Sequence, residues 1–373
     1  MSIASTVITR LDVYNFDLTY VHGEYAFSGG RVVSSLPSTV VAVTTAEGLR
    51  GFGEVCPLGP AYLPGFAGGV RAVLSELGPH LIGLDAANLG VLNDVMDSSV
   101  LGHGYAKSPV DIACWDLLGQ STGQPLATLL GGLRQQSFPL YMAVPFGSPE
   151  EMAQYVLDRR AEGIHTFQMK IGGRPADDEE RVAAVVAATD KDDVIIADAN
   201  GGWRLQQATV AARLLQPFPR TYLEQPCPTI EECLALRRLT SLPMVLDEVI
   251  IDVQSLLRAY TANGLDAINL KISRVGGLTK AKLMRDLAVD LGLSVTIEDT
   301  WGGDLTTAAV SHLAASTPSE ALFAVSFMND WTAEHVADYQ PRSHNGRGSA
   351  SGSPGLGTEV DTGLLGEPLF SFS

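Results

Sequence analysis

DVIIADA (193–199), TYLEQ (221–225) and PMVLDE (243–248) are three short apolar runs, each turning acidic as it finishes, at Asp198, Glu224 and Asp247. Before them stands HTFQMKI (165–171) and after them DAINLKI (266–272), with Lys170 and Lys271 in the matching places. Successive gaps between these five residues are 28, 26, 23 and 24 positions. One strand-plus-helix unit in a barrel of roughly 250 residues takes about that length. FPLYMAV (138–144), LSVTIED (293–299) and LFAVSFM (322–328) bring the apolar runs to eight, and amphipathic helical windows begin near Ser148, Ala176, Leu205, Thr229, Asp252, Gly277 and Asp304. Continuous apolar strands alternating with helices predict a parallel sheet. Eight of them in so short a span predict a closed barrel. A doubly wound sheet is the alternative, but no GxGxxG turn follows an early strand to support it.

The N-terminal part reads differently. VITRLDVYNFDL (7–18), STVVAVTTAEG (38–48) and GFGEV (51–55) are strand-like, the second closing on a Glu-Gly turn, and helical patterns follow over 70–81, 89–96 and 109–120. The last of these has Ser108 as its expected N-cap and Pro109 at its first position. Strands followed by helices predict an α+β unit. The tail 343–363 is rich in glycine and serine, but LLGEPLF (364–370) comes after it and suggests a return onto the first unit. The expected organisation is a capping unit over 1–133, a barrel over 134–345 and a returning segment over 346–373.

Bulk properties narrow the function. Of 373 residues, 46% are apolar and 18% charged, which suits a packed globular chain. A net charge of −17 argues against nucleic acid or an anionic membrane as partner. Cys56, Cys114, Cys227 and Cys233 form no CxxC pair and are too sparse for a disulfide framework. The first residues lack a basic segment followed by an apolar core, and no apolar run reaches the roughly 18 residues of a membrane span. A soluble, cytoplasmic protein is the expectation.

Each of the five strand-end residues is expected at the C-terminal face of the barrel, where such folds carry their sites. Three carboxylates pointing into one mouth repel one another and are costly to desolvate, and a hard divalent cation resolves this. Mg²⁺ prefers oxygen ligands and keeps positions open for water or substrate. Lys170 and Lys271, on strands either side of the acids, would face each other across the mouth. Each alone could be a salt-bridge partner of the acids. As a facing pair they suit two-sided proton transfer, with burial expected to lower a lysine's pKa toward that of a base. Taking a proton next to a carboxylate piles charge onto its oxygens, and a divalent ion stabilises the enediolate as it forms.

At these residues the chain resembles the enolase superfamily, in its muconate lactonizing enzyme subgroup. The carriers are FQMKIG, ADANGGW, YLEQPC, VLDEVI, INLKISRVGGLTKA and TIEDTWGGD, and the likeness spans nearly the whole chain. It implies an α/β fold, a modified (β/α)8 barrel of the (β/α)7β type, with an N-terminal α+β capping domain completed by the tail. It also implies one Mg²⁺ per subunit on Asp198, Glu224 and Asp247, Lys170 and Lys271 as the acid/base pair, and a homo-oligomer. The subgroup usually has Lys-x-Lys on the second strand, whereas this chain has Gln168-Met169-Lys170. Gln168 is then either a hydrogen-bonding partner of substrate or an uncharged residue facing the mouth. The seventh run carries no histidine, against the mandelate racemase pattern.

The finer resemblance is to enzymes of that subgroup acting on proline derivatives: cis-3-hydroxy-L-proline dehydratases and proline or hydroxyproline betaine 2-epimerases. YAFSGGR (25–31), CPLGPAYLPGFAGG (56–69), HGYAKSPVDIACWDLLG (103–119) and EDTWGGD (298–304) carry it. The first two are glycine-bearing loops suited to closing over the mouth. Tyr62 and Trp301 are expected to wall in a pyrrolidine ring, whose positive nitrogen favours aromatic faces. Tyr25, Thr300 and Asn200 are further candidates for the substrate pocket, and His22 another beside Tyr25. Dehydration of cis-3-hydroxy-L-proline leads, 2-epimerisation uses the same lysine pair, and sugar-acid dehydration, dipeptide epimerisation and cycloisomerisation are more distant. A metal-dependent ligand-binding barrel is the non-enzymatic alternative.

Overall fold

The computed structural model describes residues 5–27 and 30–373. Ser28 and Gly29 of the YAFSGGR loop, and residues 1–4, lie outside the described residues. Eight parallel strands stand side by side in chain order: Tyr141–Val144, Thr166–Lys170, Val194–Asp198, Thr221–Glu224, Met244–Leu246, Ala267–Lys271, Ser294–Glu298 and Leu322–Val325. They make a nearly closed barrel. Seven helical connections alternate with them, from Pro149–Ala161 to Asp304–Ala315, the sixth carrying a short helix, Ile272–Val275, before Leu278–Asp290, and the eighth strand runs into a short 3₁₀ turn, Met328–Trp331. This is the (β/α)7β pattern.

The alternation of side chains along each strand explains the layering. Phe167, Met169, Ile195, Ala197, Leu223, Leu246, Ile268, Leu270, Val295 and Ile297 belong to one apolar core shared with the surrounding helices. Inside the barrel Ile196, Val245 and Ala267 form a small separate cluster with Tyr222 and Phe323, whose rings lie 4.6 Å apart. Polar side chains collect at the C-terminal ends of the strands. The register lines Lys170, Asp198 and Glu224 up on one rung and Lys271 and Glu298 on another. Local signals start the helices: Ser148 and Glu151 close a capping box with Pro149 at the first helical position, and Asp252 accepts from the Ser255 amide.

Two of the expected runs are trimmed. In FPLYMAV, Phe138–Pro139 leaves the barrel to pair with Arg347–Gly348, and only Tyr141–Val144 continues as the first strand. LFAVSFM stops at Val325 because the chain turns into the 3₁₀ segment.

A four-stranded sheet is antiparallel, in the order Phe370–Phe372, Ile8–Thr19, Ser35–Thr45, Arg50–Val55, and Tyr25–Phe27 pairs with Arg31–Val33 in a separate hairpin. Phe372 pairs with Leu11, so the chain's last strand lies beside its first. Helices Ala67–Leu81, Leu89–Ser99 and Gly104–Thr122 cover this sheet. The third starts a turn earlier than expected, at Gly104, with His103 rather than Ser108 as N-cap and Pro109 inside it. Packing overrides the proline signal. Tyr105 through Asp111 are all buried, and a side chain at Gly104 would come within 2.3 Å of the Arg274 carbonyl oxygen. Gly53 plays the same part beneath that helix, since a β-carbon there would stand 2.0 Å from the Pro109 carbonyl oxygen. Among the described residues no helix is long and apolar enough to cross a membrane.

Candidate active site

The barrel mouth gathers the charged residues that end its strands. Asp198, Glu224 and Asp247 are at most 1% exposed, on the third and fourth strands and just after the fifth. The Lys170 ammonium donates to Asp198 Oδ2 at 2.6 Å and to Gln168 Oε1 at 2.9 Å. Gln168 Nε2 donates to Glu224 Oε2 at 3.0 Å, and Asn269 Nδ2 to Glu224 Oε1 at 2.9 Å. On the other side Lys271 Nζ donates to Asp247 Oδ2 at 2.8 Å and pairs with Glu298 Oε1 at 3.3 Å. Arg274 Nη1 holds both the carbonyl and the Oδ1 of Asp247 at 2.7 Å.

Of the seven residues the sequence offers for the pocket, the structure brings six together here. Tyr25, Tyr62, Gln168, Asn200, Thr300 and Trp301 line one pocket together with Lys170 and Lys271. The lysine strands are the second and sixth of eight, four places apart, so the two side chains approach from opposed sides of the ring. Trp301 meets Tyr25 edge to face at 5.3 Å and Trp331 at 5.7 Å, giving one aromatic wall. Only His22 falls away. It is exposed, edge-on to Tyr20, and outside the pocket lining because its turn faces solvent.

Electrostatics separate the three carboxylates. Burial and then repulsion from Asp198 and Asp247 push Glu224 well above the ordinary carboxyl range. Asp247 is also buried, but Arg274 and Lys271 outweigh that and hold it down at about 2. The lysines depart from expectation. Burial does work against their charge, yet Asp198 for Lys170 and Asp247 for Lys271 outweigh it, and both pKa values rise. In this arrangement both are ammonium ions, because each has taken a carboxylate as its countercharge.

Among the described residues no three acidic, histidine or cysteine side chains stand ready-made as a metal cage, since the carboxylate oxygens are turned to lysine, arginine and amide donors. The donor chemistry nevertheless suits a hard cation. All the groups are oxygen donors, and among the described residues three buried acceptors around them find no hydrogen-bond donor: Asn200 Oδ1, Glu248 Oε2 and Asn269 Oδ1. Asp198, Glu224 and Asp247 are the residues that could hold such an ion.

Several mouth residues escaped the sequence reading. Glu298 ends the seventh strand as Lys271 ends the sixth, is 1% exposed, and accepts a short hydrogen bond from the Tyr141 hydroxyl. Burial and the neighbouring Asp299 push its carboxyl up strongly. Its signal was present in TIED, a strand-end acid in the same rhythm as the others. Arg274, Glu248 and Trp331 come after strands and Tyr141 opens one, so none stands at a strand's C-terminal end where the acidic rhythm would mark it.

A (β/α)7β barrel under an antiparallel cap, with acids and two lysines at the strand ends, defines the enolase type of barrel. Residues 151–364 match the enolase C-terminal domain-like family, and residues 29–131 match the mandelate racemase / muconate lactonizing enzyme N-terminal domain. The chain belongs to the enolase superfamily, with the mandelate racemase / muconate lactonizing enzyme pair of domains. It is 49% identical to a cis-3-hydroxy-L-proline dehydratase of Roseibium aggregatum, over 98% of this chain and 100% of that one. It is 28% identical to an N-succinyl-L-Arg/Lys racemase of Bacillus cereus, over 83% and 84% of the two chains. A solved structure of an enolase superfamily member from Roseovarius nubinhibens ISM, complexed with magnesium, superposes with a TM-score of 0.93 at 36% identity, covering 98% of this chain and 99% of that one.

Proposed function

We propose that this enzyme takes the proton from the carbon beside a proline-type carboxylate, and that its reaction is dehydration of cis-3-hydroxy-L-proline to a pyrroline-2-carboxylate. The observation that carries the reading is the pair Lys170 and Lys271, four strands apart and lining one aromatic-walled pocket. The 49% identical dehydratase supports the choice of substrate.

In the cis diastereomer the 3-hydroxyl and the α-hydrogen lie on opposite ring faces. One lysine, as free amine, takes the α-proton, and the C–H electron pair moves into the carboxylate to give an enediolate. That pair then forms the C2–C3 double bond as the C3–O bond breaks. The opposed lysine, as ammonium, protonates the departing oxygen, which leaves as water. The resulting enamine tautomerises to the ring imine. Before a lysine can act as base, it has to part from its carboxylate and release its own proton. Asp198, Glu224 and Asp247 would hold one Mg²⁺, which when bound supplies positive charge beside the substrate carboxylate as charge builds there. Gln168 and Asn200 offer amide donors at the same mouth, and the Tyr25, Tyr62 and Trp301 rings exclude water and face the ring nitrogen.

The aromatic wall favours a second reading, 2-epimerisation of proline, hydroxyproline or their betaines, in which the proton is returned on the opposite face. The test is incubation in D₂O, with Mg²⁺ or with EDTA, of cis-3-hydroxy-L-proline, proline and their betaines. Mg²⁺-dependent loss of water from cis-3-hydroxy-L-proline is expected. α-Deuteration of the betaines without water loss moves the assignment to the epimerase. Neither change in any of these compounds ends the proline reading.

A further inference from the structure

We infer that Glu248 is a positioning residue: it catches the Tyr62 hydroxyl and so holds the capping-domain loop 56–66 across the pocket mouth. Tyr62 OH donates to Glu248 Oε1 at 2.6 Å, a bond between residues 186 positions apart that ties the cap to the turn after the fifth barrel strand. Hydrogen bonds to a carboxylate are among the strong ones. Asn200 Nδ2 donates to the same oxygen at 3.1 Å, and the Asn200 amide is itself fixed on Asp198 Oδ1 at 2.8 Å. The catch is therefore built onto the floor of the mouth.

The loop is anchored at its start, where Cys56 is buried and packs with Leu58 in one cluster, and its middle carries little regular structure. Residues 56–66 form no helix or strand, and a single turn, with the Tyr62 and Leu63 amides donating to the Gly59 carbonyl, shapes its middle. Leu63 is buried in the cap's core. Tyr62 beside it packs against the edge of that core and also lines the pocket, its ring centroid 5.9 Å from Lys271 Nζ. The space left free in the pocket is about 30 Å³, enough for a few waters and too little for a five-membered ring. Substrate entry needs an opening, and the Tyr62–Glu248 bond is a polar link between the two domains over the mouth, beside the one from the Tyr105 hydroxyl to Thr300 Oγ1 at 2.9 Å. Releasing it frees the loop without disturbing either core. With substrate inside, remaking it returns the ring to its place over Lys271.

The kinetic arm of the test rests on the proposed dehydratase reading, and the exchange arm does not. Tyr62→Phe keeps the ring and loses the hydroxyl; Glu248→Ala removes the acceptor; Glu248→Gln keeps an acceptor oxygen without the charge. In the Mg²⁺-supplemented enzyme, Tyr62→Phe and Glu248→Ala are each expected to raise KM for cis-3-hydroxy-L-proline about tenfold with little change in kcat. The double variant should be no worse than the poorer single one, and Glu248→Gln should recover most of the loss. Amide hydrogen exchange of the peptide covering 56–66 should quicken about tenfold in both single variants. Wild-type exchange in Tyr62→Phe overturns the inference, even if KM rises, because the hydroxyl would then serve substrate directly. Multiplying effects in the double variant also overturn it. If wild-type enzyme leaves cis-3-hydroxy-L-proline unchanged, the dehydratase reading fails, and the exchange result alone decides the catch.

Discussion

Two regions of this protein bury charge, and they do so in opposite ways. At the joint between cap and barrel Glu54, Asp111 and His312 find their complement in uncharged donors and acceptors. Glu54 accepts from Ser38 Oγ and from the Gly303 and Thr306 amides at the start of the last barrel helix. Asp111 accepts from Asn93 Nδ2 at 2.8 Å and from both the amide and the hydroxyl of Thr279 at 2.9 and 2.6 Å. His312 Nδ1 accepts from the Ala127 amide at 3.1 Å, and Nε2 donates to the Leu356 carbonyl at 3.0 Å. At the mouth, by contrast, three carboxylates crowd together, two ammonium ions are borrowed to balance them, and buried acceptor oxygens are left over. A joint built this way serves folding. A mouth built this way carries charge that folding does not need, and unbalanced burial of that kind marks a site meant for something other than protein.

Mutations should separate the two regions. The largest effect belongs to the mouth: Lys170→Ala and Lys271→Ala are each expected to cut kcat for dehydration by about 10³-fold or more, with thermal unfolding no earlier than wild type. Unfolding that falls together with kcat would erase the contrast. Next comes the joint. Asp111→Ala strands the Asn93 and Thr279 donors and should lower unfolding free energy in urea by about 3 kcal/mol, leaving kcat and KM of the folded enzyme in place. A smaller effect appears as a pH dependence. Burial, against a weaker pull from the Leu356 carbonyl, lowers the His312 pKa to about 4 from an ordinary 6.5. Below 6.5 the unfolded chain takes a proton that the folded one refuses, so this histidine's contribution is present at neutral pH and is lost as pH falls from 6.5 toward 4. His312→Gln, which keeps an acceptor and a donor, should reduce the stability lost between pH 7.5 and pH 4.5 by roughly 2 kcal/mol. An identical acid loss in the variant would contradict the pairing.

The barrel was legible because strands buried on both faces spell continuous apolar runs, and the step from one strand end to the next is set by the length of a βα unit. For the same reason Lys170, Asp198 and Glu224 could be placed on neighbouring strands, where the register now aligns them. Glu298 obeys the same rhythm, an acid closing the seventh run in TIED. Residues set by tertiary packing left no such trace. The helix starting at Gly104 is stabilised by burial against the barrel rather than by a cap, and Glu248 acquires its partner from a loop 186 positions away. The charge state of the lysines was also beyond pattern reading, because it depends on which carboxylate each side chain finds.

On the proposed mechanism the two lysines serve opposite faces of one substrate. Proton NMR of cis-3-hydroxy-L-proline in D₂O with Mg²⁺, comparing wild type, Lys170→Ala and Lys271→Ala, reads this in one experiment. Wild type should release water; the variant lacking the acid should exchange the α-proton yet keep the hydroxyl; the variant lacking the base should do neither. Dehydration at the wild-type rate by either variant, or identical α-exchange in both, would contradict it.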